Sequence, residues 1–306
     1  MGDQGITDRR LAEMVASGEI PANVTRLYLG GNSITDVTPL RNLTGLTALD
    51  LWGNNVTDLS PLSKLTNLTE LSLWSNDFED IAPLSNLTNL TRFNLGNNLQ
   101  FNGDLSVLRN FAKLADLGLG DTWHNRMYDF SPIEDLENLE HLQMWGVNGL
   151  NDISFISGLT NLTSLTISAA NIRDYSPLGN LTNLTWLDLQ LNGISDISGF
   201  PLDSLPNLTY LILWGNQITD ITALSGLTTL TWLNLGNNGI KDISPLSGLT
   251  SLVFLCLRVN QVEDVSPLVN LRNLQLLGLY RNPISEEQIN ALRTALPNVW
   301  IDLDND

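Results

Sequence analysis

Apolar and polar positions along this chain follow neither a sustained helical period nor a long strand alternation. In residues 227–248, LTTLTWLNLGNNGIKDISPLSG, Leu227, Leu230, Leu233, Leu235, Ile240, Ile243 and Leu246 are apolar, and Asn238 follows Leu235 by three. This spacing predicts one short strand, with Leu233 and Leu235 inward and Trp232 and Asn234 outward. A turn and a tight return begun by Asp242-Ile243-Ser244-Pro245 complete the unit. One such unit cannot bury its own apolar edge, whereas a stack of copies can.

Copies fill most of the chain. The Asn recurs at 32, 54, 76 and 98, then at 192, 216, 238, 260 and 282. Between these blocks the Leu pattern continues as Leu114/Leu117/Leu119, Leu139/Leu142/Met144 and Leu162/Leu165/Ile167, while Thr122, Val147 and Ala170 occupy the Asn position. The pattern predicts about twelve repeats in an array over 23–284, with an irregular centre at 100–170. An amide at the Asn position can satisfy turn backbone groups that face the core, so the stacked amides are expected to form a ladder. Where the ladder lapses, near 120–150, local geometry is expected to deviate.

The ends read differently. Thr7 can cap a short helix over 8–17 that Gly18 terminates, within an N-terminal cap at 1–22. Ser285-Glu286-Glu287-Gln288 reads as a capping box opening a helix to about Leu296, and Val299, Ile301 and Leu303 as a final edge strand, giving a C-terminal cap at 285–306. Asp302, Asp304 and Asp306 alternate but lack the loop and glycine of a calcium site, so no metal or cofactor is expected.

At 306 residues, 42% apolar and 16% charged, the chain can pack a long core. No apolar run reaches a membrane span, and the N-terminus carries no signal-peptide core. The net charge of −18 repels phosphate backbones, which excludes nucleic acid as the expected partner and favours a basic protein surface. The single cysteine, Cys256, excludes an internal disulfide.

The returning half of each unit is unusually constant: ITDVTPL at 34–40, VTDLSPL at 56–62, FEDIAPL at 78–84, IKDISPL at 240–246 and VEDVSPL at 262–268. Together with LTNLT between units, it resembles the internalin type of bacterial leucine-rich repeat. The resemblance implies an α/β fold: a right-handed solenoid with a parallel sheet on its concave face, short 3-10 or turn segments on its convex face, and a capping helix at each end. It also implies a secreted or cell-surface binding protein, although neither an immunoglobulin-like module nor a wall-anchoring tail is recognisable. The recurring N-L-T triplets, among them Asn67, Asn89, Asn183 and Asn207, match the glycosylation sequon, but repetition of one consensus explains them without any glycan.

Side-chain alternation turns three positions per strand outward. The first column runs Trp186, Tyr210, Trp232 and Phe254 in consecutive repeats; Ile212, Trp214 and Tyr280 stand beside it. Trp52, Trp74, Trp145 and His141 occupy the same columns earlier in the chain, with Asp50 and Glu70 near the first two. Strand spacing makes the four rings one aromatic strip about 15 Å long, which points to a protein partner on the concave face, bound by a monomer. Carbohydrate stacked on the same rings is the alternative, and an intracellular regulatory scaffold a third. The insert at 121–128, with Trp123, His124, Arg126 and Tyr128, is either a binding loop or a tolerated insertion.

An enzyme is not expected. His124 and His141 are the only histidines, and Cys256 lies about five repeats, or roughly 24 Å, from His141. The Asp column at 36, 58, 80, 152, 174, 196, 220, 242 and 264 precedes the turn of the Ile-Ser-Pro kind, where a carboxylate accepts turn N–H groups.

Overall fold

The computed structural model describes residues 4–120 and 129–303. The chain divides into two compact units, Met1–Leu150 and Asn151–Asp306. In the first, helix α1 (Asp8–Ala16) precedes six strands: β1 (Arg26–Tyr28), β2 (Ala48–Asp50), β3 (Glu70–Ser72), β4 (Arg92–Asn94), β5 (Asp116–Gly120) and β6 (His141–Trp145). The second holds β7 (Ser164–Ile167), β8 (Trp186–Asp188), β9 (Tyr210–Ile212), β10 (Trp232–Asn234), β11 (Phe254–Cys256), β12 (Leu276–Gly278), helix α2 (Glu286–Ala295) and β13 (Trp300–Asp302). Within each unit every strand pairs in parallel with its neighbour in sequence. A short 3-10 turn follows most strands on the way to the next, so the expected alternation of strand and turn over about twelve repeats is present.

Each coil closes on leucines. Leu211, Leu213, Ile218, Ile221, Leu224, Leu227 and Leu230 of a single repeat are all buried, and burying each such side chain is worth about 1.5–3 kcal/mol. Phe93 and Phe111 replace leucines in the first unit and meet edge to face at 5.8 Å.

The asparagine column is a hydrogen-bonded ladder. Asn216 Nδ2 donates to Leu213 O in its own coil (2.9 Å) and to Leu189 O in the preceding one (3.1 Å), while its Oδ1 accepts from Asn192 N and Ile194 N, both at 3.0 Å. Asn54, Asn76, Asn98, Asn238, Asn260 and Asn282 likewise donate to carbonyls of two successive coils. At the end of the lapse, Ala170 N donates to Asn192 Oδ1 (2.8 Å). Both β5 and β6, beside the lapse, run to five residues instead of three or four. The insert at 121–128 lies outside the described residues.

Two further ladders run between coils, and a third set of bonds closes a turn within each coil. The sequon asparagines Asn67, Asn89, Asn183 and Asn207 each donate Nδ2 to a threonine carbonyl of the previous coil, at 2.8–3.0 Å. The triplets are thus part of the stack. Thr47, Thr69, Thr91, Thr209 and Thr231 pass hydroxyl bonds to the carbonyl of the equivalent threonine before them. Every aspartate of the Asp column accepts the backbone N–H two residues on, as in Asp242 to Ser244 (2.8 Å), and Asp104 and Asp129 do the same. Hydroxyls of Ser60, Ser106 and Thr222 lead in holding the Asp58, Asp104 and Asp220 carboxyls below their usual range.

One residue per coil, just past the strand, is left-handed: Gly31, Gly53, Ser75, Asn97, Gly146, Ala169, Leu191, Gly215, Asn237, Val259 and Arg281, with φ between 52° and 70°. Glycine and asparagine suit this turn; Val259 and Leu191 do not.

Both caps form. Thr7 accepts from Arg10 N at the start of α1, and Asp8 ties that helix to the first coil through Thr35 N, Thr35 Oγ1 and Asp36 N. Ser285 accepts from Gln288 N, but the Gln288 side chain departs from the capping-box expectation and takes Val265 N at 3.1 Å, pinning α2 to the stack.

Replacing Asn216 by Ala strands buried carbonyls and N–H groups of two coils, and is expected to lower stability by about 3 kcal/mol in denaturant unfolding. Val259→Asn is expected to raise it by about 1 kcal/mol by relieving a left-handed β-branched residue; an unchanged midpoint would contradict this.

Candidate functional site

Strand register fixes the outward rows. Trp186, Tyr210, Trp232, Phe254, Leu276 and Trp300 are Cα partners in succession across β8 to β13. The first four rings stack along the row: Trp186 to Tyr210 at 4.9 Å and 22°, Tyr210 to Trp232 at 6.0 Å and 25°, Trp232 to Phe254 at 3.7 Å and 8°. Each ring therefore turns its faces to its neighbours and its edge outward, like plates in a rack. Trp232 is 37% exposed and Trp300 59%; Trp186, Tyr210, Phe254 and Leu276 are half-buried.

Leu276 and Trp300 extend the row beyond the four rings read from the sequence. The signal was available: Trp300 follows Leu276 by 24, the step that also separates Trp186 from Tyr210.

Beside the row, Ile212, Trp214 and Tyr280 are half-buried. Glycines in neighbouring coils make space for the tryptophans of the third column. A Cβ on Gly236 would sit 3.0 Å from Trp214 Cδ1, one on Gly96 2.3 Å from Trp74, and one on Gly30 2.1 Å from Trp52. The indoles thus lie over the next strand's backbone. Leu191 and Val259, large apolar residues forced into left-handed turns three residues past β8 and β11, are exposed.

In the first unit, Trp52 is half exposed, whereas Trp74, Trp145 and His141 are half-buried. Glu70 is clamped between Arg92 (2.6 Å) and Arg26 (2.8 Å), and the Arg92 hydrogen bond leads in holding its carboxyl below the usual range. A depression of about 330 Å³, lined among others by Tyr28, Asp50, Glu70, Arg92 and Asp116, lies on this part of the sheet. It is a charged surface rich in carboxylates, unlike the apolar row of the second unit.

The middle column of the second unit is less open than alternation alone implies: Thr166, Asp188 and Cys256 are buried. Cys256 lies beneath the aromatic row, and burial raises its thiol pKa. Asp302, on β13, is buried and paired with Arg258 of the third column. Asp188 is 2% exposed. Its Oδ1 accepts from Gln190 N (3.0 Å) and its Oδ2 from Gln190 Nε2 (3.1 Å). Burial pushes this carboxyl up to about 6, with the Gln190 N–H opposing. Asn234, Asn94 and the half-exposed Asp50 make the same backbone bond from the same column, to Gly236 N, Gly96 N and Trp52 N. An amide would serve the turn equally well, so the turn does not account for a buried charge at 188.

Trp123, His124, Arg126 and Tyr128 lie outside the described residues. Among the described residues, no group of three or more His, Cys, Asp or Glu is placed to hold a metal ion, and no helix is long and apolar enough to cross a membrane.

Parallel three-residue strands, an asparagine ladder and leucine-filled coils define a leucine-rich-repeat protein. The leucine-rich-repeat family matches at residues 182–240 and, as paired copies, at 22–64, 66–110 and 228–270. The chain belongs to that family, and within it to the internalin type. It is similar to the internalin inlF of Listeria monocytogenes, at 33% identity and a TM-score of 0.84, covering 97% of this chain and 91% of that one. It shares the fold of a leucine-rich-repeat protein of Leptospira interrogans (22% identity, TM-score 0.68, 99% and 94% covered). The functional domain of InlJ from Listeria monocytogenes, which includes a cysteine ladder, also shares it (20%, TM-score 0.64, 97% and 70%). No curated protein matches the chain.

The Asp188 carboxyl binds its proton more tightly in the folded than in the unfolded chain. Its contribution to stability is therefore full below the ordinary carboxylate value and lost as pH rises through about 6. The gap between about 6 and 3.8 corresponds to roughly 3 kcal/mol. Asp188→Asn is expected to be more stable than the parent at pH 7 by up to about that amount, the difference shrinking towards pH 4. Thermal unfolding at the two pH values checks it.

Proposed function

We propose that this chain is a non-enzymatic binding module that recognises a protein partner through the aromatic row of its second unit, as an internalin-like adhesion or receptor-binding protein. The observation that carries the proposal is the row itself, four stacked rings continued by Leu276 and the exposed Trp300. Cross-strand aromatic pairs do stabilise sheets, by about 0.2–1 kcal/mol each. Stability alone gives no reason for Trp300, whose ring is largely in solvent on the last strand, nor for exposed Leu191 and Val259 in turns that disfavour them. Together these make an apolar surface of the kind that marks interaction sites, built from the residue types richest in binding energy. With a net charge of −18, the fitting occupant is a protein surface that sets an apolar ridge among basic residues.

The ring geometry weighs against carbohydrate. Sugars stack on open aromatic faces, and with Trp232 and Phe254 3.7 Å apart the faces are already taken. What the row offers a ligand is edges and the gaps between them, which suit interdigitating side chains. A secreted or surface location follows from this reading and from the internalin resemblance.

Trp232→Ala is expected to weaken partner binding by about 2 kcal/mol or more, the loss typical of a central aromatic anchor, with the far-ultraviolet circular dichroism unchanged. Calorimetry against the partner, or against peptides selected on the parent protein, gives the comparison. Equal affinity of parent and variant would overturn the assignment of the row.

A further inference from the structure

We infer that the partner inserts a cationic side chain, lysine or arginine, beside the aromatic row at Asp188, displacing the Gln190 amide that now covers that carboxylate. The inference rests on the row being the contact surface.

Four observations support it. Asp188 is on β8, in the column next to Trp186, and Ile212 flanks it on β9 in the same register. Its carboxylate is almost wholly withdrawn from solvent. The turn bond it makes is one that Asn94 and Asn234 make without a charge and that Asp50 makes from a half-exposed position, so the turn does not require a charge to be buried here. Its second oxygen is held by a side-chain amide, Gln190 Nε2, and Gln190 is itself half-exposed. A guanidinium or ammonium reaching over the row can replace that neutral donor with a charged one, at a site whose low dielectric strengthens the pairing. The stacked rings present their positive edges and cannot attract a cation themselves. The attraction has to come from Asp188.

No neighbouring charge competes. Strand β7 carries Ser164, Leu165, Thr166 and Ile167, and β9 carries Tyr210, Leu211 and Ile212; Tyr210 is the one titratable side chain of the two strands, and neither holds a lysine, arginine or histidine. A bound cation therefore meets a carboxylate without a resident counter-ion, unlike Glu70 with its two arginines or Asp302 with Arg258. Binding a cation favours the ionised form, so affinity is expected to grow as pH rises through the Asp188 transition and to fall below it.

The test uses the whole chain and n-butylguanidinium as probe, with n-butylurea at the same concentration and ionic strength as the neutral control. The backbone amide of Gln190, which donates to Asp188, reports the titration by nuclear magnetic resonance. Butylguanidinium is expected to lower the midpoint by half a pH unit or more and butylurea to leave it in place, and Asp188→Asn should abolish the transition. An equal midpoint in the two solutions would overturn the inference. Peptides selected on the parent chain give a second readout: a lysine or arginine is expected in them, with at least tenfold weaker binding to Asp188→Asn. Peptides that need Trp232 but bind Asp188→Asn undiminished would sink the cation and leave the row standing. Peptides indifferent to Trp232→Ala would instead sink the row.

Discussion

Everything in this fold depends on how a turn that faces the core satisfies its backbone. Each coil reverses direction after a strand of only three residues, leaving carbonyls and N–H groups at the rim of a leucine interior where water does not reach. One buried amide per coil answers this, with two donors for carbonyls of successive coils and an oxygen for the N–H groups of the coil before. Left unpaired, such groups cost about 1–3 kcal/mol each. The asparagine is thus less a stabilising addition than the condition under which so tight a coil can exist, and it couples each coil to the next by the same bonds that close it.

The constraint on the inside frees the outside. With closure assigned chiefly to leucine, asparagine, threonine and the aspartate turn, most outward positions of each strand take no part in closing the coil, and the register places their occupants in rows at the strand spacing. A row is therefore a surface that substitution can rewrite without altering the stack. The two units illustrate two uses of it. In the first, Arg26 and Arg92 both pair with Glu70 along the row. In the second, rings fill it.

What could be read from the sequence follows from the same division. The repeat number, the rows, the amide ladder and the turn role of the aspartates were legible because each depends on one residue type at one fixed position. The sequon asparagines were not: their bond to a threonine carbonyl one coil back involves a backbone group that composition does not reveal. The burial of Asp188 and Cys256 was hidden for a related reason. Alternation assigns a side chain to a face but not to a depth, and bulky neighbours on both sides sink the middle column beneath them. The left-handed turn position was missed because its occupants, from glycine to valine and arginine, share no chemistry.

These less legible features have something in common. A valine at φ 55°, a leucine at φ 60° and a carboxylate withdrawn from water all work against folding, and all three belong to the second unit. Six of the other nine turns show the cheaper solution, glycine or asparagine, and elsewhere the middle column makes its turn bond from asparagine or from the half-exposed Asp50. A repeat protein carries its own controls in this way, since every coil solves one geometric problem again. Where a coil departs from the solution its neighbours use, and the departure costs stability, packing within the coil does not explain it. Asp188 lies on β8, and Leu191 and Val259 lie three residues past β8 and β11, two of the strands that bear the aromatic row. That coincidence adds to the row's apolarity as support for the proposal that it is a recognition surface.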